Sequence, residues 1–163
     1  MGKLIYLLFI KLYPLSARFV ALFNKKARLW VAGRRQLFDS IKTKLQGDTR
    51  KKIWIHCSSL GEFEQGFPLM EELKKQYHSH AVVLTFFSPS GYENVKNTKA
   101  ADYVFYMAMD SAQNAKKFYD LVQPQLVVFI KYEFWYYYLN EAKRRNIPLL
   151  LLSGAFRKSQ PFF

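Results

Sequence analysis

The chain has 163 residues, 50% of them hydrophobic and 18% aromatic, which is enough for one domain with a true core and too apolar for a disordered segment. Its formal net charge of +13 is unevenly placed: residues 1–52 carry 13 Lys and Arg against 2 acidic residues, whereas residues 53–163 carry 12 against 10. The basic arm is interleaved with Leu, Ile, Phe, Trp and Tyr, a composition that favours an anionic membrane surface over nucleic acid. The single cysteine, Cys57, excludes an internal disulfide and fits a reducing cytoplasm, and the sequence shows no Cys/His spacing of the metal-binding type.

Residues 4–23 are apolar but interrupted by Lys11, Pro14 and Arg18, so they fall at the margin of the roughly 20 apolar residues that a spanning helix needs. Lys25, Lys26, Arg28, Arg34 and Arg35 follow directly, and a cluster of this kind stays on the cytoplasmic side. Three readings fit: a short signal-anchor helix, a helix lying in the inner leaflet with its cations on headgroups, or an amphipathic helix packed on the domain itself.

From residue 53 the pattern becomes regular. Strands are expected over 53–57, 81–86, 103–106, 126–130 and 149–152, with helices over 61–77, from the Ser88 turn onward, from Asp110 to about Val122, and over 134–145. The segment Asp110-Ser111-Ala112-Gln113 resembles a capping box. The strands are continuous apolar runs alternating with helices. This predicts an α/β fold, a Rossmann-like parallel sheet with helices on both faces. Such sheets bind ligands at the carboxyl ends of their strands.

Four loops therefore carry the candidate chemistry. In Ser58-Ser59-Leu60-Gly61-Glu62, Gly61 permits close approach of a ligand, and Glu62 opens the helix. An acid at that corner can take a proton from a hydroxyl, and it can equally do no more than complement the helix dipole. Ser88-Pro89-Ser90-Gly91 suits an anion or sugar cradle as well as it suits an ordinary connection. Lys131 and Glu133 stand after the most apolar strand and before an aromatic run, either as a site or as a surface ion pair. Ser153-Gly154-Ala155-Phe156-Arg157-Lys158 brings cations after the last strand. The absence of G-x-G-x-x-G disfavours a dinucleotide-binding oxidoreductase.

Taken together, these loops resemble the N-terminal domain of the transferases of 3-deoxy-D-manno-octulosonic acid (Kdo) in lipopolysaccharide synthesis. His56-Cys57-Ser58-Ser59-Leu60-Gly61-Glu62 is similar to the family's H-A-V-S-V-G-E, Ser88-Pro89-Ser90-Gly91 to its T-P-T-G, and Glu133-Phe134-Trp135 to its E-L-W. Two positions depart from the family pattern: Lys131 stands where many members carry an acid, and Ser153-Gly154-Ala155 replaces N-A-R, with Arg157 two residues on.

The resemblance implies the acceptor-binding half of a GT-B glycosyltransferase. Residues 1–50 would form a membrane-associated basic segment and residues 51–163 the Rossmann-like domain, with a donor-binding domain expected beyond a chain that reads as a fragment. It implies inverting, metal-independent transfer from CMP-Kdo to a lipid A precursor (lipid IVA) at the cytoplasmic face of the inner membrane, with anionic lipids as further partners and with no cofactor and no nucleic acid. Glu62 matches the family's general base and Glu133 its second acid. Ser58, Ser59, Gly61, Ser88, Ser90, Gly91, Lys131 and Arg157 are the implied acceptor contacts. Two other readings compete: a related membrane glycosyltransferase with another glycolipid acceptor, and a non-catalytic membrane-tethered Rossmann-like module.

Overall fold

The computed structural model describes residues 2–131 and 134–154. Three helices precede the sheet: α1 (Gly2–Val20), α2 (Lys25–Ala32) and α3 (Leu37–Leu45). Then β1 (Lys51–Cys57), α4 (Leu60–Gln76), β2 (His80–Phe86), α5 (Pro89–Val95), β3 (Tyr103–Tyr106), α6 (Ala112–Val122), β4 (Pro124–Ile130), α7 (Tyr136–Arg144) and β5 (Leu149–Leu152) follow in alternation. The strands form one parallel sheet in the order β3-β2-β1-β4-β5. The sequence expectation holds: the fold is α/β, Rossmann-like, with helices on both faces.

Period-two side-chain alternation sends neighbours in β1 to opposite cores. Trp54 enters the layer formed with α3, α6 and α7, whereas Ile53, Ile55 and Cys57 enter the layer beneath α4 and α5. Trp54 is fully buried, and its ring centroid lies 4.5 Å from that of Phe118, 5.2 Å from Phe129, 5.5 Å from Tyr119 and 5.6 Å from Tyr138. Burial on both faces explains why β1, β2 and β4 read as unbroken apolar runs.

The N-terminal arm is three helices rather than one continuous segment. Asn24 ends the first run by capping α2, its side-chain oxygen accepting the Ala27 N–H at 3.0 Å. On α1, Tyr6, Ile10, Tyr13 and Ala17 follow helical spacing, and the first three meet the domain. Tyr6 bonds Asp110, Ile10 is buried, and the Tyr13 ring packs 5.2 Å from Trp30 and 5.6 Å from Phe87. The opposite side stays apolar and exposed, with Leu4, Leu8, Leu15 and Phe19 each more than half accessible. Among the described residues no helix is long and apolar enough to cross a membrane, so α1 does not meet the spanning requirement of the signal-anchor reading. It packs on the domain, as the third reading of this segment expected, and keeps a second apolar face outward.

Candidate functional site

Strand order reverses between β1 and β4: the chain runs outward from β1 through β2 to β3, then returns to the other side of β1 with β4 and β5. A crevice opens at the carboxyl ends of the strands at such a switch point. The segment from Ser58 to Glu62 borders it from β1, and Lys131 borders it from β4.

Ser59 is the N-cap of α4, and Glu62 is its third residue, so the two pair as a capping box. Glu62 Oε2 accepts the Ser58 N–H and, at 3.2 Å, the Ser59 N–H. The carboxylate is therefore held at the strand-to-helix corner, half-buried, which realises the dipole-complementing reading of this residue. Gly61 beside it is exposed, and a Cβ built there would meet nothing within 4 Å. No packing constraint within the described domain accounts for a glycine at this place.

The second loop is tied to the first, since the Ser88 N–H donates to the Ser58 carbonyl at 2.8 Å. Ser88 caps α5 with Pro89 behind it, and its hydroxyl lies 2.7 Å from that of Ser90. Gly91 has a local cause: a Cβ there would lie 2.2 Å from Cδ1 of Phe86. Thus Ser58, Ser59, Gly61, Glu62, Ser88, Ser90 and Gly91 form one cluster across the ends of β1 and β2.

On the other side of the crevice, Lys131 is held at φ 67°, in the left-handed region unusual for a residue with a side chain, and its N–H donates to the Leu152 carbonyl at 2.8 Å. Ser153, at the end of β5, has φ 54°. Glu133 and Arg157 lie outside the described residues. Trp135 carries the third loop back toward the first two, its ring 4.8 Å from Phe87 and 6.3 Å from His56. His56 is buried, with Nδ1 2.8 Å from the Thr85 hydroxyl, which also accepts the Trp54 indole N–H at 2.8 Å.

Two polar residues near the site escaped the reading of the sequence. Ser111, not Asp110, caps α6, accepting the Asn114 N–H at 3.1 Å. Asp110 is 1% exposed and caps α7 instead, taking the Tyr137 N–H at 3.0 Å and the Tyr138 N–H at 3.2 Å, while the Tyr6 hydroxyl donates to it at 2.5 Å. Burial raises the Asp110 carboxyl above the usual range, against the opposing pull of these donors. A cap drawn from 27 residues away leaves no local sequence signal.

Arg34 is the second. Its guanidinium donates to the carbonyls of Met107 (2.9 Å), Trp30 (3.1 Å) and Phe87 (2.7 Å), and it lies 4.0 Å from the Trp30 ring centroid. Burial pushes it down to about 9, so it still carries its charge at neutral pH. The sequence marked Arg34 as one of a basic cluster but gave no sign that it turns inward.

A parallel sheet with capped loops meeting at its switch point defines a Rossmann-like α/β domain of the kind that forms one half of a GT-B glycosyltransferase. The family model described as 3-deoxy-D-manno-octulosonic-acid transferase (kdotransferase) matches residues 16–161, and the chain belongs to that family. It is 34% identical over 104 residues to the 3-deoxy-D-manno-octulosonic acid transferase of Haemophilus influenzae, a match covering 63% of this chain and 24% of that protein. It is 34% identical over 85 residues to the protein of the same name from Aquifex aeolicus, covering 51% of this chain and 23% of the relative. A bifunctional glycosyltransferase/methyltransferase of Fusobacterium nucleatum is 31% identical over 108 residues, with 63% of this chain and 16% of that protein covered. The matched segment thus spans about a quarter or less of these relatives.

Proposed function

We propose that this chain supplies the acceptor-binding half of an enzyme that transfers Kdo from CMP-Kdo to a lipid A precursor at the cytoplasmic face of the inner membrane. The observation that carries the reading is the placement of Glu62 at the switch point, beside an exposed glycine and tied through Ser58 to the Ser88 loop. In this mechanism the Glu62 carboxylate takes the proton of the acceptor hydroxyl as its oxygen bonds to the anomeric carbon of Kdo. The bond from that carbon to the phosphate oxygen breaks, and CMP leaves with the electron pair. Lys131, Ser59 and the Ser88–Ser90 pair border the space where the acceptor sugar binds, and the family resemblance assigns Glu133 as a second acid and Arg157 as a further acceptor contact. The exposed apolar side of α1 and the cations near it support binding along an anionic bilayer surface.

The test restores the donor-binding half and assays transfer from CMP-Kdo to a tetra-acylated lipid A precursor, comparing wild type with Glu62→Gln. Glutamine still accepts an N–H at the third helical position, so the cap survives while the base is lost. Transfer is expected to fall by about 10³-fold with acceptor binding retained. Equal activity in both proteins would remove Glu62 from the mechanism, and inactivity of both with this acceptor would point to another glycolipid.

A further inference from the structure

A groove of about 1200 Å³ runs between the C-terminal half of α1, helix α2 and the segment after β3. It is larger than the roughly 300–1000 Å³ usual for a small-molecule pocket. Arg18, Arg28, Arg34 and Arg35 line it, and no acidic residue does so among the described residues. None of the four lies within ion-pair distance of a described carboxylate. Arg34, at its inner wall, is stacked on Trp30 and bonded only to carbonyls, so its charge has no counter-ion in the described fold. A guanidinium removed from water gains most from an anion that offers it paired oxygens. The remaining lining includes Pro14, Ala21, Leu22 and Val31, and Leu22 joins the groove to the exposed apolar side of α1.

We propose that this groove is a binding site for the phosphomonoester end of an acylated lipid, with Arg34 as its inner anion contact, Arg18, Arg28 and Arg35 at its rim, and the apolar wall taking the start of an acyl chain. Four cations with no ion pair to a described carboxylate favour an anion of more than one negative charge, which a phosphomonoester carries and a zwitterionic headgroup does not. The volume and the apolar lining demand more than free phosphate. The Arg34 bond to the Phe87 carbonyl places the anion contact one residue before Ser88. The site thereby extends the acceptor region, and its assignment as part of an acceptor path rests on the proposed transferase reading.

The probe is dihexanoyl phosphatidic acid below its micelle concentration, titrated into the intact chain beside dihexanoyl phosphatidylcholine and inorganic phosphate. Phosphatidic acid is expected to bind saturably and at least about tenfold more tightly than either comparator, because it alone offers both the dianion and the chain. Arg34→Gln should weaken it about tenfold or more. Because Arg34 is packed into the fold, the exposed double variant Arg28→Gln/Arg35→Gln provides an independent measure and should also weaken it about tenfold. Lys25→Gln/Lys42→Gln removes the same charge outside the groove and should leave affinity unchanged. Equal weakening by the two double variants would overturn the site in favour of diffuse attraction. Phosphatidylcholine or inorganic phosphate binding as tightly as phosphatidic acid would also overturn it. The titration needs no donor, so its outcome is read apart from the transfer assay: binding of the probe by a chain whose two-domain form transfers no Kdo to the lipid A precursor leaves the groove standing and overturns only its assignment to a Kdo acceptor path.

Discussion

Gly61 and Gly91 look alike in the sequence, each within a strand-to-helix loop, yet their surroundings assign them different reasons. Gly91 is pressed on Phe86, and Gly61 faces open space. Gly91→Ala should therefore cost about 1–3 kcal/mol of stability by overpacking, while Gly61→Ala should be neutral or slightly stabilising in the first turn of α4. If Gly61→Ala also depresses transfer in the two-domain enzyme while melting normally, the missing Cβ serves a ligand. If it melts early, the glycine is structural and its place in the site falls. Asp110 makes a sharper case. Its replacement by Ala strands the N–H groups of Tyr137 and Tyr138 in a buried setting and should cost roughly 2–3 kcal/mol in urea unfolding. Tyr6→Phe removes one donor to the same carboxylate and should cost about 1 kcal/mol. A loss no larger in Asp110→Ala than in Tyr6→Phe would show that the helix cap contributes nothing.

At the scale of elements, the alternation of apolar runs located all five strands, and the limits of β3 and β5 agree with it at both ends. Strand and helix type were legible because burial on both faces and turn residues such as Ser88, Pro89 and Pro148 act locally. The start of α7 was not. The aromatic run 134–138 reads as helical throughout, but the helix opens at Tyr136 behind an N-cap, Trp135, whose side chain makes no capping bond, and its donors are satisfied from the β3–α6 loop. Farther along α7, Glu141 accepts Arg144 at 2.6 Å and Arg145 at 2.7 Å, and Arg145 reaches Asp120 of α6 at 2.5 Å. The Arg144 guanidinium, and then that of Arg145, hold the Glu141 carboxyl down to about 2. A depressed folded-state value means stability present above the unfolded value near 4.3 and lost as pH falls from there toward about 2. Glu141→Gln should thus lower stability by about 0.5–1 kcal/mol at pH 7, with the difference shrinking through pH 4 and closing near pH 2. A deficit that stays constant across that range would rule out the ion pair as its source.

For the molecule as a whole, the sheet order explains why separate loops of a linear pattern converge. The segments 58–62 and 88–91, thirty residues apart, become neighbours because β1 pairs with β2, and Lys131 joins them because β4 pairs with β1 from the other side. The sequence could name these loops as strand ends. It could not say that the Ser88 N–H would be anchored on Ser58, or that the basic arm would fold back so that Trp30 and Arg34 pack on Phe87. Those contacts depend on long-range packing of aromatic rings, which carries no periodicity. The same topology sets the order in which the chain can be built. β1, β2 and β3 leave the ribosome first and can zip together, but the second edge of β1 stays open until residues 124–130 have been made. For that interval the backbone of Ile53, Trp54 and Ile55, all buried in the finished fold, is an unpaired edge. The nascent protein is therefore most prone to wrong strand pairing and aggregation in the stretch of synthesis between β3 and β4.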